Sequence, residues 1–422
     1  MLMHLSILSL RTQAEAEICL KDIGVDPGGI KIMAPKTQLL LARLNKLPIF
    51  AANILKQEAL SIGADAALSR DALTGRVKYT DCLLIGNRHQ IAELCEKLKI
   101  QPYGLKARAA GLLQACSNYQ RDKFILDLGR YKLDLSSHTH IMGIVNMTPD
   151  SFSGNGLLQV TPRLRAGQAG DKLRAAHIVE YTQKLVDDGA DIIDIGGESS
   201  RPGASAVSLK EELQRVIPAI KKISKKIKVP ISVDTRRSEV ARQALDSGAV
   251  MINDITALRG DPLMAKIVSK YKAGLVLMHM KGRPLKMQRN PRYHNLMQEI
   301  VEYLGKSIEL ACGAGIDFEK IILDPGIGFG KTLEHNLLII KSLEQLRILG
   351  RPILIGTSRK SFIGKITTQP AGKRLAASIS SNCLSVFNGA RILRVHDVKE
   401  SKQALAVIDK IFSAGYYRGY RL

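Results

Sequence analysis

Tryptophan is absent from this 422-residue chain, and aromatic residues make up only 5% of it. Proteins that grip single-stranded nucleic acid stack bases on aromatic side chains, so a chain this poor in rings lacks that means of binding. Acidic residues are also scarce: 39 Asp and Glu stand against 62 Lys and Arg, a formal charge of +23. Such a surplus suits polyanions, or small substrates carrying phosphate and carboxylate. The basic residues are scattered, with only short clusters such as Lys221-Lys222 and Lys225-Lys226, and 220–228 reads as the solvated face of a surface helix. The six cysteines (Cys19, Cys82, Cys95, Cys116, Cys312, Cys383) form no Cys-x-x-Cys pair. That excludes the common zinc and disulfide frameworks and fits a reducing compartment. No apolar run approaches the ~20 residues of a membrane span. The apolar stretch Met1–Leu10 lacks a basic leader and runs into Arg11, Glu15 and Glu17, unlike a signal peptide. The absences together predict a cytoplasmic globular protein whose partners are neither nucleic acid nor membrane.

Short β-rich runs alternate with helical stretches from His140 onward. The runs are Ile141–Asn146, Asp191–Gly197, Pro230–Thr235, Met251–Ile255, Leu275–Met280, Ile321–Gly326, Pro352–Ser358 and Arg391–Asp397. Their Val, Ile and Leu are continuous rather than alternating, as in parallel strands buried on both faces. Helical periodicity fills the gaps, for example over Glu211–Ile227 and Glu239–Ser247. Eight right-handed strand–helix units close a barrel; an open doubly wound sheet is the competing architecture.

The strand ends discriminate between the two. They carry Asn146, Glu198, Asp234, Asn253 with Asp254, His279, Asp324, Ser358 to Lys360, and Arg394 to Asp397. In a barrel all carboxyl ends converge on one mouth, whereas an open sheet strings them along an edge. The predicted fold is therefore α/β: a TIM (β/α)8 barrel over 136–416, preceded by a smaller α/β domain over 1–130. In that leading domain Ile30–Met33 and Cys82–Ile85 read as strands, and Gln38–Leu44 and Gln90–Leu98 as helices. The polar segment Asp122–Ser137, a possible hairpin, is the candidate boundary.

Asp234, Asn253 and Asp324 end three strands and are read as having no local arginine partner, and a buried carboxylate must be paired or hydrogen-bonded. They predict a ligand rich in N–H donors, such as a fused heterocycle with an amino-amide edge; internal caps on neighbouring loops are the alternative. Arg201, in Glu198-Ser-Ser-Arg-Pro-Gly203, suits bidentate capture of phosphate or carboxylate; a loop-locking salt bridge is its alternative. Arg394 and His396 alternate on the eighth run and point to one side, near where barrels of this kind bind phosphate. Gly326-Ile-Gly-Phe-Gly-Lys331 has neither phosphate-loop spacing, and a flexible loop presenting Phe329 reads equally well. His138 and His140 precede the first strand, at the end away from the mouth, and alone they point away from a metal site.

Taken in order, the segments IMGIVNMTPDSFS, ADIIDIGGESSRPGA, ISVDT, INDI, LMHM, LDPGIGFGK, GTSRKSFIG and RVHDVKE resemble those of the dihydropteroate synthases, over nearly all of residues 140–410. The resemblance implies a transferase of folate biosynthesis. It joins 4-aminobenzoate to 6-hydroxymethyl-7,8-dihydropterin diphosphate, releasing diphosphate and 7,8-dihydropteroate. It implies a pterin pocket of Asp234, Asn253, Asp324, Lys360 and Arg394, and diphosphate contacts from Asn146, Arg201, Arg394 and His396. Asn146 would work with Mg2+. The aminobenzoate position would be Phe152, Ser200, Arg201, Pro202, Phe329 and Ser358. Asp234, Lys360 and Arg201 would carry the catalysis, and a homodimer is the family's expectation.

The first loop departs from the family pattern. Ser153 is followed by Gly154-Asn155-Gly156 where the family carries Asp-Gly-Gly, and the loop runs on to Asp171. Altered loop closure or weaker handling of the second substrate is the expectation. A pterin-dependent methyltransferase and a non-catalytic pterin-binding protein are the alternatives. The first lacks its Asp-x-His-x-x-Gly cobalamin motif here, and the second rests on the altered loop and the extra domain. Residues 1–130 carry no motif of a neighbouring folate enzyme, and a docking or oligomerisation unit is the preferred reading for them.

Overall fold

The computed structural model describes residues 7–10, 12–147, 168–198, 207–282 and 287–413, with backbone alone for 168–176. The chain forms two compact units, Met1–Asn118 with Lys410–Leu422, and Tyr119–Asp409.

In the first unit β1 (Leu39–Pro48), β2 (Asp65–Leu68) and β3 (Tyr79–Asn87) make an antiparallel sheet in the order β1-β3-β2. Helices Ile49–Ser61 and Arg88–Leu98 bury Leu55, Ile91, Leu94 and Leu98 against Leu47 and Leu84 of the sheet. The second helix starts on a capping box between Asn87 and Gln90. Two expectations are corrected here. Gln38–Leu44 is strand, not helix: leucine favours helix in isolation, but pairing with β3 from Leu39↔Asn87 onward overrides it. Ile30–Met33 ends the helix Pro27–Met33 rather than forming a strand. Asp26 caps that helix by accepting from the Gly28 and Gly29 N–H groups at 2.8 and 3.0 Å, and Pro27 opens it.

The second unit begins with a hairpin, β4 (Ile125–Asp127) and β5 (Lys132–Asp134). Eight parallel strands follow: β6 (His140–Asn146), β7 (Ile192–Gly196), β8 (Ile231–Asp234), β9 (Met251–Asp254), β10 (Gly274–Met278), β11 (Ile321–Asp324), β12 (Ile353–Ile355) and β13 (Ala390–Val395). They close into a barrel in sequence order, β13 pairing with β6. The predicted α/β barrel is the fold observed. Helices such as Leu209–Ile223 and Ser238–Asp246 lie outside, burying Val216, Ile220, Ile223, Val240 and Ala244 in the layer between strand and helix.

The hairpin closes the amino-terminal end of the barrel. Phe124, Leu126, Leu128 and Leu135 pack on the lowest inward layer, Met142, Ile192, Met251, Val276, Ile322, Leu354 and Ile392. Leu128 packs close over Gly274, where a Cβ would lie 2.7 Å from Leu128 Cδ2 and push that side chain aside. Each fully buried Leu or Ile contributes about 1.5–3 kcal/mol, so this plug is a substantial part of the core. Among the described residues no helix is long and apolar enough to cross a membrane.

Candidate active site

Two residues further along each strand, the inward side chain comes to the same face. Above the apolar layer, Ile192 is followed by Asp194, Met251 by Asn253, Ile322 by Asp324 and Ile392 by Arg394. One step of the pleat thus turns a sealed hydrocarbon layer into a polar one. Asp234, Asn253, Asp324, Ser358, Lys360, Arg394 and His396 line one pocket, with Ile144, Ile255, Met278, Ile327 and Phe329 as its apolar walls.

The floor of the pocket is an ion-pair network. Arg394 Nε donates to Asp194 Oδ2 at 2.7 Å, and its Nη2 donates to Asp234 Oδ2 at 3.0 Å. Asn253 Nδ2 donates to the same Asp194 oxygen at 3.1 Å. Burial works against the arginine's charge, and the two carboxylates outweigh it, leaving Arg394 more strongly basic than usual. Burial raises the Asp234 carboxyl to about 7, although Arg394 pulls it down. Burial also raises Asp324, whose Oδ1 accepts from Gly326 N–H at 2.7 Å. Asn253 Oδ1 and Asp194 Oδ1 are buried acceptors with no hydrogen-bond partner among the described residues. The pocket therefore offers more buried acceptors than the protein's own donors satisfy.

Arg394 corrects one premise of the sequence reading. Asp234 does have an arginine partner, contributed across the barrel from a strand 160 positions later. Asp194 is inconspicuous in sequence, because it sits inside the run Asp191–Gly197 and reads as one polar break in a buried strand. The signal that finds it is parity: it lies two residues before Gly196, whose register partner on β8 is Asp234.

The other strand-end residues divide. Lys360 Nζ donates to Ile327 O at 3.0 Å and lies 4.5 Å over the Phe329 ring. Ser358 Oγ and His396 Nδ1 are 3.1 Å apart. Asn146 ends β6 half-buried. Asp254 turns into its own loop, accepting from the Thr256 and Leu258 amides, so here the internal cap is the structure's answer. Glu198 pairs with Arg236 at 3.2 Å. Arg359, which the sequence offers as a cation at the mouth, donates through Nε to Asp397 at 3.0 Å. Phe152, Ser200, Arg201 and Pro202 lie outside the described residues, as do Gly154 and Asn155.

The glycines of 326–330 serve packing. Gly326 and Gly330 have φ of 70° and 64°, and a Cβ on either would collide with the carbonyl oxygens of His279 and Lys281, at 2.0 and 2.2 Å. Lys331 is buried, not directed at a ligand: its Nζ sits 3.0 Å from His279 Nδ1 and donates to Phe329 O at 3.1 Å. Burial lowers it to about 7 and keeps His279 neutral. The loop is thereby fixed with Phe329 as a wall of the pocket.

A Mg2+ ion takes oxygen ligands and is commonly held by one or two protein groups plus substrate phosphate and water. Asn146 Oδ1, on the last residue of β6, is such a donor. The donor chemistry fits.

A closed barrel with a buried, acceptor-rich pocket at its mouth defines the class. Residues 142–396 match the family described as pterin binding enzyme, and the chain belongs to it. A dihydropteroate synthase from Synechocystis sp. is 42% identical over 288 residues, covering 68% of this chain and 95% of that protein. The solved dihydropteroate synthase of Xanthomonas albilineans, with 4-aminobenzoic acid, superposes with a TM-score of 0.61 at 38% identity, covering 69% of this chain and 99% of that one. Within the family the chain is thus placed among the dihydropteroate synthases, which are transferases. A probable bifunctional folylpolyglutamate synthase/dihydropteroate synthase of Halobacterium salinarum is 37% identical over 359 residues, 85% of this chain and 41% of that protein. That match is longer than the barrel unit and takes in part of the amino-terminal unit as well.

Proposed function

We propose that the pocket holds 6-hydroxymethyl-7,8-dihydropterin diphosphate and condenses it with 4-aminobenzoate, giving 7,8-dihydropteroate and diphosphate. The observation that carries this reading is the surplus of buried acceptors. Asp234, Asp324 and Asn253 Oδ1 suit the ring N–H and amino groups of a pterin, whose hydrogen bonds would offset the desolvation these atoms suffer. Ile144, Ile255, Met278 and Phe329 bring apolar surface to the ring.

Catalysis follows from charge placement. Departure of diphosphate leaves a cation on the pterin methylene, delocalised into the ring, and a carboxylate at Asp234 stabilises it electrostatically. Arg394 orients that carboxylate and holds it at the floor of the pocket, while Asp194 anchors Arg394. Lys360 at the seventh strand end serves the pterin, as Ser358, with Phe329, serves the aminobenzoate. The family pattern gives the diphosphate contacts to His396 and Arg201. The family pattern also implies a diphosphate contact for Arg394; its engagement with two carboxylates favours the pterin role. Mg2+ held by Asn146 would neutralise charge on the diphosphate. The aromatic amine attacks with its own lone pair, so no strong base is needed, and loss of its proton completes the product.

A homodimer, the cytoplasm and a need for neither nucleic acid nor membrane belong to the same reading. The test is direct: the purified chain, pterin diphosphate, Mg2+ and labelled 4-aminobenzoate are incubated, and labelled dihydropteroate is sought. Tight pterin binding without product would sink the synthase reading and leave a pterin-binding protein.

A further inference from the structure

The end of the barrel opposite the mouth carries a cluster that the condensation does not use. His140 opens β6 and His138 stands two residues before it, so both side chains leave the extended chain on one side. Their rings stack with centroids 4.2 Å apart. Asp191 precedes β7, the neighbour of β6, and the two chains are tied there in both directions: Asp191 N–H donates to Ile141 O at 2.9 Å, and Ile141 N–H donates to Asp191 Oδ2 at 2.8 Å. One ring nitrogen from each histidine and one Asp191 oxygen all lie within 4.8 Å of one another.

The surrounding hydrogen bonds prepare these atoms. His140 Nδ1 is 3.1 Å from the His138 carbonyl oxygen. A carbonyl accepts only, so Nδ1 carries the proton and Nε2 keeps its lone pair. His138 Nδ1 lies 3.0 Å from Ser137 Oγ, and its Nε2 is 3.8 Å from Asp191 Oδ1. Metal-binding histidines are usually held in this way, with the second ring nitrogen engaged by carbonyl, carboxylate or hydroxyl. Lys402 Nζ stands 3.4 Å from Asp191 Oδ2, a weak contact in which an ammonium occupies the carboxylate's cation position.

We propose that His138, His140 and Asp191 form a site for a divalent transition metal, Zn2+ first, at the amino-terminal rim of the barrel. Two imidazoles and one carboxylate are a borderline-soft donor set that favours Zn2+ over Mg2+ or Ca2+. Zinc–ligand bonds of about 2.0–2.2 Å require the three donors to draw in by roughly 1 Å, and the His138 ring to turn out of its stack on His140 so that the two in-plane lone pairs converge. The His138 side chain is 41% exposed and lies outside the strand, so it can make that movement and leave a fourth position to water. Binding moves Lys402 into solvent. The ion then ties the approach to the first strand directly to the second, well away from the chemistry at the mouth.

The full-length chain, stripped with chelator and dialysed, is titrated with ZnCl2 in millimolar Mg2+, and cobalt is substituted for a visible spectrum. One Zn2+ per chain is expected, with affinity at least tenfold lower in His138→Ala and Asp191→Asn, and several-fold higher in Lys402→Met. The cobalt form should show the intense bands of a four- or five-coordinate ion. His138 is exposed enough for His138→Ala to keep the apo protein's circular dichroism, which separates loss of a ligand from loss of fold. Equal Zn2+ uptake by the parent and His138→Ala, or the pale spectrum of six-coordinate cobalt, would overturn the proposal.

Discussion

The same eight strands build two opposite ends. At the amino-terminal end the inward layer is hydrocarbon, sealed by the hairpin through Phe124, Leu126, Leu128 and Leu135. One pleat further, the layer holds Asp194, Asn253, Asp324 and Arg394 around an accessible pocket. The contrast shows how a barrel separates its tasks: a dry floor gives rigidity, and the polar layer above it uses that rigidity to keep buried charges at fixed distances. The polar layer is costly to hold, since buried ion pairs rarely recover their desolvation in full. The floor is where the offsetting apolar burial lies.

Breaking the polar layer at its centre is expected to have the largest effect. Arg394→Met strands Asp194 and Asp234 without their shared cation; a buried pair broken on one side costs about 3–5 kcal/mol, read as a lower urea midpoint. Breaking the floor instead should harm stability and spare chemistry. Leu135→Ala should cost about 2–5 kcal/mol, while kcat per folded molecule stays within about twofold. If kcat fell with stability, the two ends would not be separate.

Asp234→Asn reverses that pattern, keeping the fold and lowering kcat by about 10²–10³-fold, the usual cost of one electrostatic contact to a transition state. In the parent enzyme kcat/KM for the pterin should rise with pH and level off above about 7, because burial holds the Asp234 carboxyl at about 7 and its anion is the working form. The stability sign is opposite. A carboxyl whose folded pKa is raised contributes stability that is complete below the unfolded value of about 3.9 and is lost as pH rises through the folded one. Unfolding titrations from pH 4 to 8 should show a smaller loss in Asp234→Asn than in the parent, because Asp324, also raised by burial, titrates in both.

The smallest effect belongs to the pocket wall. Phe329→Leu removes the ring beneath Lys360, a contact of about 0.5–2 kcal/mol, and should raise KM for the pterin and for 4-aminobenzoate about two- to tenfold with kcat little changed.

Much of this was legible in the chain. Continuous Val and Ile runs show parallel strands, and the polar residues ending them place Asp234, Asn253, Asp324, Ser358, Lys360 and Arg394 at one mouth. What escaped was long-range. Asp194 and Arg394 are 200 positions apart, and only barrel closure makes them partners. Gln38–Leu44 has a helical composition, and its strand state is decided by β3, which lies about forty residues on. Asp122–Ser137 shows its hairpin in sequence, but its place under the barrel depends on an apolar layer gathered from distant strands. The cluster at His138 and His140 needs Asp191, which β6–β7 pairing supplies.

Closure between β13 and β6 also has a consequence for how the protein is made. The first and last strands of the barrel meet only after the chain has been synthesised through about residue 395, and contacts so distant in sequence form slowly. Until then the β6 edge is an open template for wrong pairing. Arg394 stands on that last strand, so Asp194 and Asp234 gain their shared cation only when it docks. Completion of the barrel and neutralisation of its pocket are therefore a single event, and a chain truncated before Arg394 would lack both.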